Sequence, residues 1–235
     1  GIHGNEPSGS EAALLTAYTL IASKNKKINR LTTDSVVFID PTLNPDGRDR
    51  HSQWANQYKS INLVADSNDA EHNESWPRGR TNHYWFDLNR DWLLAIHPES
   101  RGKLNWLHEW YPNVVLDVHE MGTNSNYFFD PMKSSASVKP LIPQENVDLY
   151  PIFAEYYVKY MDSIGSFYYT KESFDETYPG YGSTYSDLQG GLALLFEQAS
   201  SRGHVQETNY GEMTFGFTIR NQFLNGIATV EAAVD

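Results

Sequence analysis

The chain has 235 residues, a length that fits one α/β domain with one sizeable core, and its 40% hydrophobic and 20% charged residues are those of an ordinary globular protein. Eighteen Lys plus Arg against 30 Asp plus Glu leave a formal charge of −12, which repels phosphate backbones and argues against nucleic acid; no apolar run approaches the roughly 18 residues of a membrane span. With no cysteine, disulfides, thiolate metal ligands and a thiol nucleophile are excluded together, so any metal site must draw on His, Asp and Glu.

Residues 7–23 read as a helix, with Ala12, Leu15, Tyr18 and Leu20 near a 3.6 period and Ser8 or Ser10 as its cap. Residues 35–40 (SVVFID) form a short apolar run expected to be a buried strand. The stretch 41–89 is long, polar and rich in Asn, Asp, Arg and His, and reads as a functional loop kept packed by aromatics such as Trp54, Trp76 and Trp85. A helix follows over 98–111, then a strand over 113–118 (NVVLDV) ending at His119. Residues 146–164 read as a helix, 192–196 (LALLF) as a strand ending at Glu197, and 218–234 as a closing helix. Strands alternating with helices predict a mixed, mostly parallel sheet with helices on both faces, and ligands bind beyond the carboxyl ends of such strands. His3 has only two residues before it, although a loop presenting a ligand normally hangs from a strand. The expectation is a single catalytic domain over 1–235 whose N-terminal strands lie outside this sequence.

Four groups of residues carry chemistry. His3-Gly4-Asn5-Glu6 places an imidazole and a carboxylate three positions apart, able to face one point in a tight turn, though such pairs are common by chance. His119 after a buried strand can complete a His₂Glu set that leaves a position open for water, with Asp117 on the same face to orient a ring. Glu197, behind Leu194, Leu195 and Phe196, stands where apolar surroundings raise a carboxyl pKa towards acid/base use. Arg80 and Arg90, with Asn89, offer fork-shaped donors to a carboxylate.

In order along the chain, these pieces resemble the zinc metallocarboxypeptidases, the carboxypeptidase A-like family. GIHGNEPSG looks like the family's zinc loop, and PTLNPDG is similar to its turn after a strand. The last arginine of WPRGR matches the one that polarises the scissile carbonyl, which carries over to Arg80, although Arg78, Arg48 and Arg50 are close enough to compete. DLNRDW resembles the pair that grips the substrate carboxylate, giving Asn89 and Arg90. LDVHEMG supplies His119, YPGYGST resembles the mobile tyrosine loop through Tyr178 or Tyr181, and LLFEQAS supplies Glu197. Asn5 stands where digestive members often carry arginine. The pocket floor aligns near Tyr185 or near Gly182, and Asp187 beside it would favour a basic substrate if it lined the pocket.

The resemblance implies one zinc ion on His3, Glu6 and His119, a general base at Glu197, and a peptide substrate with a free C-terminal carboxylate. It also implies secretion or a periplasmic location. An amidase or deacylase on the same fold, acting on cell-wall peptides or acylated amino acids, stays open beside it. So does a zinc- or peptide-binding module without catalysis, against which the intact Glu197 argues.

Overall fold

A computed structural model describes residues 1–132 and 141–235 of the chain. Among the described residues three strands form the central sheet: β1 (Val114–Met121), β2 (Tyr127–Phe129) and β3 (Leu192–Ala199). Strand β3 lies in the middle, parallel to β1 and antiparallel to β2. Because β3 is covered on both sides, its residues form a continuous apolar run rather than an alternating one. In the β1–β3 ladder His119 stands opposite Glu197. Both strands run past their predicted ends to Met121 and Ala199, so His119 and Glu197 sit inside paired backbone rather than beyond it.

The two faces of the sheet have different partners. Leu192, Leu194 and Phe196 point towards helices α5 (Gln144–Ile164) and α7 (Phe215–Val234), packing with Tyr127, Phe129, Tyr157 and Met161. The alternate positions point the other way, where Val115 packs with Leu104 and Leu107 of α4 (Pro98–Trp110), Trp92 and Ile2. Asp117, His119 and Glu197 share that second face by the two-residue period of a strand.

Helix α1 (Ser8–Ala22) begins as expected but is capped differently. Neither Ser8 nor Ser10 caps it; the buried Glu120 of β1 accepts a 2.7 Å bond from the Ser8 amide, satisfying one of the free first-turn donors. Its inner stripe is Ala12, Thr16 and Leu20, while Leu15 and Tyr18 face outward. Residues 35–40 are extended but have no ladder partner among the described residues, so the predicted strand is not one. Its alternation survives: Val37 and Ile39 pack with Leu20, Leu31 and Ile227, and Phe38 lies against Trp106 and Trp110.

The polar stretch 41–89 holds more order than a loop. Helix α3 (Pro45–Tyr58) starts at Asn44, whose side chain accepts from the Gly47 amide at 2.9 Å, with Pro45 in the first turn. Helix α2 (Lys26–Asp34), capped by Asn25, strand β2, the short helix α6 (Gly182–Tyr185) and the hairpin of β4 (Val205–Thr208) and β5 (Gly211–Thr214) were also missed in sequence. Beside the buried end of β3, Asp130, Glu176 and Asp187 gather around Tyr150, all at most 1% exposed. Leu195 N donates to Asp130, and Ala193 N and Asn146 donate to Asp187. Burial pushes the Asp130 carboxyl up to about 8 and Asp187 up to about 6.

Candidate metal centre and catalytic cleft

The His3–Glu6 turn closes through a 3.2 Å bond from Glu6 N to His3 O. It presses so tightly on the start of α3 that a Cβ at Gly4 would fall 2.0 Å from the Gly47 carbonyl carbon, so only glycine fits there. Across the cleft, β1 delivers His119.

Three ligand atoms meet at one point. His3 Nδ1 lies 2.9 Å from Glu6 Oε1, His119 Nδ1 lies 2.9 Å from Glu6 Oε2, and the two Nδ1 atoms are 3.2 Å apart. All three side chains are buried, and their ligand atoms lie within 4.8 Å of one another. Each outer ring nitrogen has its own carboxylate: His3 Nε2 is 2.9 Å from Asp87 Oδ1, and His119 Nε2 is 2.8 Å from Asp117 Oδ2. Two imidazoles turned by carboxylates so that both Nδ1 atoms face a third carboxylate fit the donor set of a catalytic zinc site. The electrostatics agree. Against burial, His3 and His119 hold Glu6 well below the usual carboxylate range, and Asp117 and Glu6 push His119 up.

Glu197, across the β1–β3 ladder from His119, belongs to the same cleft. Burial raises its carboxyl to about 8, with Glu6 and Asp117 adding to the shift and His119 and Arg80 opposing it. Arg80 reaches the centre: Nη1 is 3.2 Å from Glu6 Oε1 and 3.3 Å from His3 Nδ1. The competing arginines do not. Arg48 bonds Glu11, Arg50 bonds the carbonyls of Arg78, Thr81 and Asn82, and the Arg78 side chain contacts none of the ligands.

Asn89 and Arg90 sit on one short turn but face different ways. The buried Asn89 accepts from Gly182 N and Trp92 Nε1, and its Nδ2 lies 3.0 Å from His119 Nε2. Arg90, half exposed, donates to Asn89 O at 2.8 Å, lies 3.9 Å from Asp87 Oδ2 and stacks 4.6 Å from the Tyr181 ring. Tyr178 OH donates to Arg90 O at 3.1 Å and packs edge-on against Tyr181, so the two candidate tyrosines adjoin Arg90 together. Asp187 does not line an open pocket; it lies behind β3, bonded to Asn146, Tyr150 and Ala193 N. Tyr185 packs in the interior with Trp92, its hydroxyl 2.8 Å from His108.

Asp87 escaped the sequence reading. It takes His3 Nε2, two Arg80 bonds of 2.9 and 3.1 Å, and the Asn89 amide. Against burial, His3, Arg80 and Arg90 hold its carboxyl far below the usual range. Its local signal is the Asp-x-Asn spacing of an Asx turn, which marks a turn and not a ligand's support.

Comparison with known proteins gives the same direction from independent grounds. A family model described as zinc carboxypeptidase matches residues 1–223. The catalytic chain of human carboxypeptidase N is 26% identical over 144 residues, covering 55% of this chain and 31% of that protein. The metallo-carboxypeptidase from Burkholderia cenocepacia superposes with a TM-score of 0.63 at 17% identity, over 98% of this chain and 54% of that one. A metallo-carboxypeptidase from Pseudomonas aeruginosa, solved with (2-guanidinoethylmercapto)succinic acid, gives 0.59 at 14% identity, over 95% and 52%. The chain thus spans about a third of the curated relative's length and about half of each of these two solved chains.

Proposed function

Since the chain belongs to the zinc carboxypeptidase family, we propose that it removes the C-terminal residue of peptides, with one zinc ion held by His3, Glu6 and His119. The observation that carries this reading is the meeting of both Nδ1 atoms with the Glu6 carboxylate, directly across the ladder from the half-buried Glu197. A zinc ion there supplies Lewis acidity, polarising the scissile carbonyl and bringing the pKa of water to about 7. Glu197, half-buried in the cleft, accepts the water proton and delivers it to the leaving amine. Arg80 donates to the oxygen on which negative charge develops. For that its guanidinium, anchored on Asp87, needs only to redirect Nη1 from Glu6.

Arg90 pairs with the free carboxylate of the substrate as a charged, outward-facing fork. Asn89 and a loop tyrosine, Tyr178 or Tyr181, complete the grip. The Pseudomonas relative's succinic acid ligand carries carboxylates of the same chemistry. Action outside the cytoplasm is part of this proposal; no helix among the described residues is long and apolar enough to cross a membrane.

The test is metal analysis together with turnover of blocked dipeptides, free or amidated at the C-terminus, with and without a chelator. The reading expects about one zinc per chain, cleavage of the free acids alone, and loss of activity on chelation. Equal cleavage of the amides would move the assignment to an amidase, and folded protein that takes up no zinc would overturn it.

A further inference from the structure

A polar cleft of about 340 Å³ adjoins the metal centre on a side that none of Asn89, Arg90, Tyr178 and Tyr181 lines. Its walls are continuations of the segments that build the centre. Asn5 lies between His3 and Glu6, and Arg78 precedes Arg80 by two residues. Thr123 follows β1, and Arg202 and Gln206 follow β3. A peptide whose carboxylate sits at Arg90 and whose scissile carbonyl sits at the ligands must send its N-terminal part away from Arg90.

The cleft is rich in uncommitted donors. Among the described residues, Arg78 and Arg202 bond only through their backbones, Arg78 O to Arg50 and Arg202 N to Ser200. Every other arginine bonds through its guanidinium. Two unpaired cations in the wall of one cleft are conspicuous in a chain of formal charge −12. Both hold left-handed backbones, φ 58° at Arg78 and φ 53° at Arg202, which is unfavourable for a side chain of this length. His72, also in the wall, is 7% exposed and its Nδ1 has no partner, its Nε2 being 3.1 Å from Val64 O. The single acid of the wall, Glu74, is already taken up by Gly79 N and Asn5 Nδ2 and lies 3.2 Å from His51 Nδ1.

We propose that this cleft binds the carboxylate of an acidic side chain N-terminal to the scissile bond, so that the enzyme selects peptides with Asp or Glu upstream of the residue it removes. The proposal rests on the carboxypeptidase reading above. Two guanidinium forks can embrace one carboxylate, and each charge-assisted bond is strong enough to discriminate Glu from its neutral isostere Gln.

The test uses zinc-loaded protein and pairs of N-blocked peptides with a free C-terminus that differ only by Glu or Gln at the second or third residue before the scissile bond. Wild type is expected to favour Glu at one of these positions by about tenfold or more in kcat/KM, mainly through KM, with the preference shrinking at raised salt. In Arg78→Gln/Arg202→Gln the Glu-to-Gln ratio is expected to fall to about one, and Arg202→Glu is expected to favour Lys at the same position. No Glu preference in wild type, or a preference that survives the double substitution, overturns the proposal. If zinc-loaded wild type cleaves no peptide, the carboxypeptidase reading fails instead. The cleft is then decided by the arginine Nε–Hε resonances on adding a Glu or Gln tripeptide amide: shifts at Arg78 and Arg202 with Glu alone support it, and equal shifts reject it.

Discussion

Asp87 ties the candidate metal centre to Arg80 and Arg90, so replacing it with Asn isolates the worth of one negative charge. The substitution keeps the volume and one acceptor oxygen, which can still serve the Asn89 amide. It removes the anion that faces His3 Nε2 at 2.9 Å and the two bonded nitrogens of Arg80 at 2.9 and 3.1 Å. The amide nitrogen, a donor, must then face either His3 or Arg80, both donors themselves. Loss of a carboxylate behind a metal-bound histidine typically lowers metal affinity by about 10–100-fold, which converts to about 1.4–2.7 kcal/mol. The Asp87 side chain is 22% exposed, so solvent replaces part of the loss and the lower half of the range is expected. The assay is competition for zinc against a chelator of known affinity, with circular dichroism to confirm folding. A folded Asp87→Asn protein whose zinc affinity stays within twofold of wild type would refute the idea that this carboxylate orients His3.

Other consequences can be checked alongside. Glu197→Gln should lower kcat by about 10²–10⁴ while zinc stoichiometry stays near one, because in the proposed mechanism the group moves a proton without holding the metal. Arg80→Ala should lower turnover by about 10²–10³, with a smaller change in zinc content; no loss of turnover would remove it from oxyanion stabilisation. Stripping zinc should lower Tm: free zinc at about 100 times its Kd contributes about 2.7 kcal/mol, or roughly 5–10 °C in a domain of this size, read by calorimetry with and without chelator. Asp130, whose folded carboxyl is raised to about 8, binds its proton in the folded state more tightly than in the unfolded chain. Its contribution to stability is therefore full below about pH 4 and is lost as pH rises towards 8. Asp130→Asn should flatten the decline of Tm between pH 5 and 8, and an unchanged slope would exclude Asp130 as its source.

The candidate site was largely readable because its members sit in short local motifs. A His and a Glu on one tight turn, or a polar residue after an apolar run, leave a trace within five residues. Asp87 left none, since its main partner is 84 positions away and its own surroundings read as an ordinary turn. Glu120 capping α1 from 112 residues away escaped for the same reason. Helix α3 was hidden because its buried positions are Gly47, His51 and Ala55, which write no apolar stripe. The segment 35–40 shows the reverse: its alternation is real, yet a strand is a property of two segments, and a single sequence displays only one.

The shared rung of His119 and Glu197 has a consequence for how this centre can change. Neighbouring strands lie about 4.8 Å apart whatever side chains they carry. The spacing between Glu197 and His119 is thus gauged by backbone hydrogen bonds, and substitutions in the cleft leave that gauge untouched. Loss or gain of a single residue between Val114 and His119, or between Leu192 and Glu197, does not. It turns one of the pair onto the opposite face, into the aromatic core beneath α5 and α7. Chemistry of this kind can drift freely in composition while its indel tolerance is nil over two stretches of six residues, and a deletion scan would reveal those stretches with no assay of substrate at all.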